Sequence, residues 1–162
     1  MIKIQKGFSL VELLIYMALM SIFLMVLLDV FTTTLNIKLV SESTSAISSD
    51  SRYIFSKLSY DINNADSVIL PVPGATNTSL QIETSGLTAT YTLDNGNLVK
   101  TAGGVSMNLN GIDTKLDSIS FKNIGNPGEK PTIQIVYTLR SKVIIQGRGT
   151  EIQTVNTTIG TR

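Results

Sequence analysis

Between Phe8 and Leu28 the only residues that are not apolar are Ser9, Glu12 and Ser21. As an α-helix these 21 residues rise about 31 Å at 1.5 Å per residue, which matches a bilayer core and exceeds the apolar stretch of a secretory signal peptide. The segment is therefore read as a single membrane span. Ahead of it lies Met1-Ile2-Lys3-Ile4-Gln5-Lys6-Gly7, where Lys3 and Lys6 should hold this end on the cytoplasmic side. The remainder of the chain then faces outward. No A-x-A-like site follows the span, so its removal by ordinary signal peptidase is not indicated.

Composition narrows what the outward part can do. The 162 residues include 0 His, 0 Cys and 0 Trp, which excludes a thiolate nucleophile, an imidazole base, a Cys/His zinc site and any disulfide. No cofactor is indicated. A net charge of +1 on 15% charged residues gives no basic patch for direct nucleic-acid binding. The mean hydropathy of +0.24 is carried by the one apolar segment, and the residues after it have an ordinary globular composition.

Glu12 stands out within the span. A charge at mid-helix costs roughly 2.5 to 3.5 kcal/mol on insertion scales, less near an end. The surrounding Leu, Ile, Val and Phe residues offset it at about 0.3 to 0.6 kcal/mol each. Insertion is permitted, but the carboxylate still wants a cationic partner, and the span contains no Lys or Arg. That partner must be a chain terminus or another molecule. Asp29 closes the run at its outer end.

Lys6-Gly7-Phe8-Ser9-Leu10-Val11-Glu12-Leu13-Leu14 resembles the processing and assembly signature of type IV pilins and the pilin-like proteins of type II secretion and competence systems. The resemblance implies a basic leader, residues 1–7, cut at the Gly7–Phe8 bond by a prepilin peptidase that also methylates the new amine of Phe8. It implies that Glu12 pairs with the N-terminal amine of a neighbouring subunit. Physical chemistry agrees with both. Glycine gives a protease a backbone free of Cβ, and cleavage creates the missing cation. A buried ion pair of this kind sets register between helices. The partners so implied are other pilins or pseudopilins, the peptidase, an inner-membrane assembly platform and lipid. The chain would reside in a bacterial inner membrane and later in a filament. Some family members carry a proline near position 29; here none occurs between Met1 and Leu70.

Beyond Asp29 the apolar residues thin but keep helical spacing. Ile47, Ile54, Leu58, Ile62 and Ala65, with Phe55 beside them, lie on one stripe. The expected helix runs from Phe8 to Asn63, about 84 Å if unbroken, with residues 29–65 as its amphipathic continuation. The Ser- and Thr-rich stretch from Ser41 to Ser51 leaves that continuity open. Asn63-Asn64 and then Pro71 and Pro73-Gly74 end it.

Residues 66–162 change to period two. Leu87, Ala89, Tyr91 and Leu93 alternate with threonines, Asp94-Asn95-Gly96-Asn97 makes a turn, and Leu98-Val99-Lys100 returns, a strong hairpin signal. Further strands are expected at Ser79 to Glu83, Leu116 to Lys122, Thr132 to Lys142 and Glu151 to Ile159. The fold class is α+β: a long N-terminal helix packed against a C-terminal antiparallel sheet. The hairpin Tyr91 to Leu98, the strands at Leu116 to Lys122 and Ile133 to Leu139, and Ile152-Gln153-Thr154 with Arg162 are similar to the J-type pseudopilins, which implies a minor subunit.

Enzymatic readings find little support. Asp113 and Asp117 offer two carboxylates where a cation site wants several converging oxygens. No Gly-x-Ser-x-Gly occurs, Gly103-Gly104 opens no helix, and the sequons at Asn77 and Asn156 are a common pattern. Two functions stay open: a filament subunit, or a membrane-tethered binding module that does not polymerise. Pilus, secretion and competence roles share the same N-terminal physics.

Overall fold

The computed structural model describes residues 9–126, 128–145 and 147–161. The chain divides into two compact units, residues 1–38 and 39–162. One helix, α1, covers Leu10–Asn63, so the Ser- and Thr-rich stretch does not interrupt it. It opens after Ser9, whose carbonyl accepts the Leu13 N–H at 3.1 Å.

In the first unit the apolar side chains of α1 are exposed from Leu10 to Ile37. A helix apolar on all sides is made for lipid or for other helices. Three of its hydroxyls are turned back onto the backbone: Ser21 donates to the Met17 carbonyl at 2.8 Å, Thr32 to Asp29 at 3.0 Å and Thr34 to Val30 at 2.8 Å. That satisfies them without water.

In the second unit α1 buries Ser43, Ile47, Ser51, Ile54, Leu58 and Ile62, spaced three or four residues apart on one face. The weak helix propensity of the serines costs a few tenths of a kcal/mol each, and the packing of this stripe outweighs it. Phe55 lies off the stripe and is 41% exposed. The helix ends where the Asn64 side chain donates to the Tyr60 carbonyl at 2.8 Å, satisfying a terminal acceptor.

Among the described residues nine strands follow: β1 Ser67–Leu70, β2 Thr76–Asn77, β3 Leu80–Thr84, β4 Leu87–Asp94, β5 Asn97–Ala102, β6 Val105–Asn108, β7 Thr114–Asn123, β8 Thr132–Ser141 and β9 Ile152–Gly160. The sequence leads one to expect a single sheet, and the described residues form two. The first has the order β1-β3-β4-β5-β6 and the second β2-β7-β8-β9, with all pairs antiparallel. The chain leaves the first sheet for β2 and returns at β3, and it passes to the second sheet again through Leu109–Asp113, where the side chain of buried Asn110 bonds the Asn97 side chain at 3.1 Å as well as the backbone. Its Oδ1 accepts the Leu98 N–H at 2.8 Å, and its Nδ2 donates to the Thr114 carbonyl at 3.3 Å. The chain is thereby held between sheets without a ladder.

The β4–β5 hairpin is the one expected, with Asp94 opposite Asn97. Asn95 (φ 49°) and Gly96 (φ 79°) are both left-handed, as a two-residue turn of this hand requires. β8 buries Ile133, Ile135, Tyr137, Leu139 and Ser141 in strict alternation. On β7 the buried residues change parity, from Thr114 and Leu116 to Ile119, Phe121 and Asn123. The pairing shifts between Leu116 and Ser118, so Asp117 is the extra residue of a bulge. One apolar core joins the α1 stripe to both sheets, through Leu80, Ile82, Tyr91 and Leu98 on one side and Phe121, Ile133, Ile135 and Leu139 on the other.

Candidate functional site

The N-terminal end of α1 is the site the sequence singles out. Lys3, Lys6, Gly7 and Phe8 lie outside the described residues. Glu12 lies in the first helical turn, where unpaired N–H groups and the helix dipole favour a negative charge. One turn further on, the Tyr16 hydroxyl donates to Glu12 Oε1 at 3.3 Å. The carboxylate therefore sits at the head of an exposed apolar helix and, among the described residues, accepts from one neutral donor, Tyr16.

The other polar residues singled out beyond Asp29 lie at separate places in the second unit. Asp117 pairs with Arg140 Nε at 2.7 Å on the outer face of β7 and β8. The carbonyl of Asp113 accepts the Lys142 N–H at 2.9 Å. Among the described residues no group of three or more His, Cys, Asp or Glu is placed to hold a metal ion. Asn77 Oδ1 accepts the Ser79 N–H at 3.2 Å, and Asn156 Oδ1 accepts from Gln134 Nε2 at 3.1 Å. Gly103-Gly104 is the turn joining β5 to β6.

Three polar ties were not legible in the sequence, and all join α1 to the sheets. Asp50 accepts the Gly111 N–H at 2.8 Å and the Thr114 hydroxyl. Tyr137, fully buried on β8, donates to the Ser51 carbonyl at 3.0 Å, and its oxygen lies 3.2 Å from Ser51 Oγ. Burial pushes the Tyr137 hydroxyl up from its ordinary pKa, and the hydrogen bond from Ser51 partly opposes this. Asp61 accepts the Tyr91 hydroxyl and meets Lys100 Nζ at 2.7 Å and Lys57 Nζ at 3.6 Å. Burial raises the Tyr91 pKa, and the hydrogen bond to Asp61 and that carboxylate's charge raise it further. The signal available in advance was small: Asp50 and Asp61 sit in α1 immediately beside the stripe residues Ser51 and Ile62.

Comparison with known proteins bears on the first of these regions. The family described as "Prokaryotic N-terminal methylation motif" matches residues 2–28. No curated protein and no solved structure matches the chain. The matched residues include Lys3, Lys6, Gly7, Phe8, Glu12 and the whole apolar run to Leu28. The chain thus carries, at the head of an apolar helix long enough to cross a membrane, the N-terminal methylation motif of type IV pilin-like precursors.

Proposed function

We propose that this chain is a structural subunit, of the minor kind, in a type IV pilus-like or type II secretion-like filament. The coincidence of the methylation motif at residues 2–28 with an exposed apolar helix headed by Glu12 carries the reading. On this account residues 1–7 are a leader cut at Gly7–Phe8, residues 8–28 are anchor and assembly surface, residues 29–65 continue the helix, and residues 66–162 form the extracytoplasmic β domain. Before assembly the mature chain is held in the inner membrane by Phe8 to Leu28. During assembly the methylated amine of Phe8 in one subunit pairs with Glu12 of another. Ion pairing is far stronger in lipid than in water, and it fixes the axial register of neighbouring helices.

Two variants test the proposal. Gly7 replaced by a bulky residue should leave an uncut, slower-migrating band when the chain is co-produced with a prepilin peptidase; normal mobility would contradict the proposed cut. Glu12→Ala should insert in the membrane but yield self-crosslinked or paralogue-crosslinked ladders at a small residual level. Unchanged ladders would remove Glu12 from assembly, and a chain that never yields ladders would be a tethered monomer.

A further inference from the structure

Between Leu10 and Leu28 the side chains that carry a polar atom able to donate or accept a strong hydrogen bond are Glu12, Tyr16 and Ser21. Ser21 is turned onto the Met17 carbonyl. Tyr16 is different: its hydroxyl reaches the Glu12 carboxylate one turn before it. We propose that Tyr16 is a positioning residue for Glu12, holding the carboxylate against the helix, in lipid, in the pose that receives the amine of an incoming subunit. This rests on the assembly role proposed for Glu12.

The geometry follows from the helix. Residues four apart lie on one face, and side chains lean toward the N-terminus, so a tyrosine at 16 lies over a carboxylate at 12. The need follows from the solvent. A carboxylate facing hydrocarbon without a donor is strongly penalised, and a subunit awaiting assembly has no partner's amine beside it. The Tyr16 phenol supplies a donor without supplying charge. A lysine at that position would neutralise Glu12 within its own chain and compete with the incoming amine; a phenol does not. The bond engages Oε1, and a carboxylate accepts several donors at once, so the phenol and an ammonium group can bind together. Tyr16 then fixes the direction of the carboxylate, which reduces the ordering cost of pairing.

The test is a double-mutant cycle on the full chain, co-produced with the peptidase and read as self-crosslinked ladders in membranes. Tyr16→Phe keeps the ring and removes only the hydroxyl. In the Glu12 background it should lower the ladder yield by about ten-fold or more, the size of effect expected for one hydrogen bond to a charged group. In the Glu12→Ala background it should change nothing further. An equal loss in both backgrounds would mean that the tyrosine merely packs, and no loss in either, with Glu12→Ala itself defective, would overturn the positioning role alone. If Glu12→Ala assembles normally, both the assembly role and the positioning role fall. Membrane fractionation of each variant checks that insertion is intact.

Discussion

The Tyr137 hydroxyl donates to the main-chain carbonyl of Ser51, 86 positions earlier, across 3.0 Å of fully packed interior. The bond ties the C-terminal part of α1 to the second sheet, where β8 lies between β7 and β9. Tyr137→Phe should cost about 1 to 2 kcal/mol, because it removes the bond and strands Ser51 Oγ beside an apolar ring. Chemical denaturation of the full chain in detergent measures this, and an unchanged midpoint would mean that the hydroxyl contributes nothing.

Alkaline pH should destabilise the β domain for a related reason. The hydroxyls of Tyr91 and Tyr137 are both raised above the ordinary value of 10.0. The native state therefore keeps these protons at pH values where the unfolded chain releases them. The stabilisation is complete below about pH 10 and is lost as pH climbs above it. The unfolding midpoint should fall steeply above that pH, and Tyr91→Phe should flatten the fall. An equal slope in the variant would show that Tyr91 is not the group responsible.

Gly96 should resist substitution more than Gly86. Both have positive φ, 79° and 77°, so alanine is strained at either by about 1 kcal/mol. A Cβ at Gly96 would also lie 2.6 Å from Lys115 Cγ, whereas one at Gly86 meets nothing within 4 Å. Gly96→Ala should thus lower the thermal midpoint more than Gly86→Ala. Equal shifts would show that the Lys115 side chain moves aside freely.

The helix and the hairpin were legible because each repeats a strong local pattern: Ile47, Ile54, Leu58 and Ile62 at helical spacing, and Leu87 to Lys100 alternating about Asn-Gly. The sites of failure are as local. β1, β2 and β6 are four, two and four residues long, too short for alternation to register. Ser43 and Ser51 lie on the buried stripe but are polar, so hydropathy passes over them. The bulge at Asp117 reverses the parity of β7 halfway along, and no residue type announces it. The division into two sheets, with β2 paired to β7 and not to its chain neighbours β1 and β3, is a long-range arrangement that periodicity does not encode. At the candidate site Glu12 was legible as a charge out of place. Tyr16 was not, because a tyrosine in an apolar run counts as apolar until its hydroxyl is seen on the carboxylate.

The most direct test of the account is the mass of the N-terminal peptide of the chain recovered from membranes of cells that also contain a prepilin peptidase. The account predicts a peptide that begins at Phe8 and is one methyl group heavier than the unmodified sequence. A peptide that begins at Met1 with Lys3, Lys6 and Gly7 still attached would contradict it.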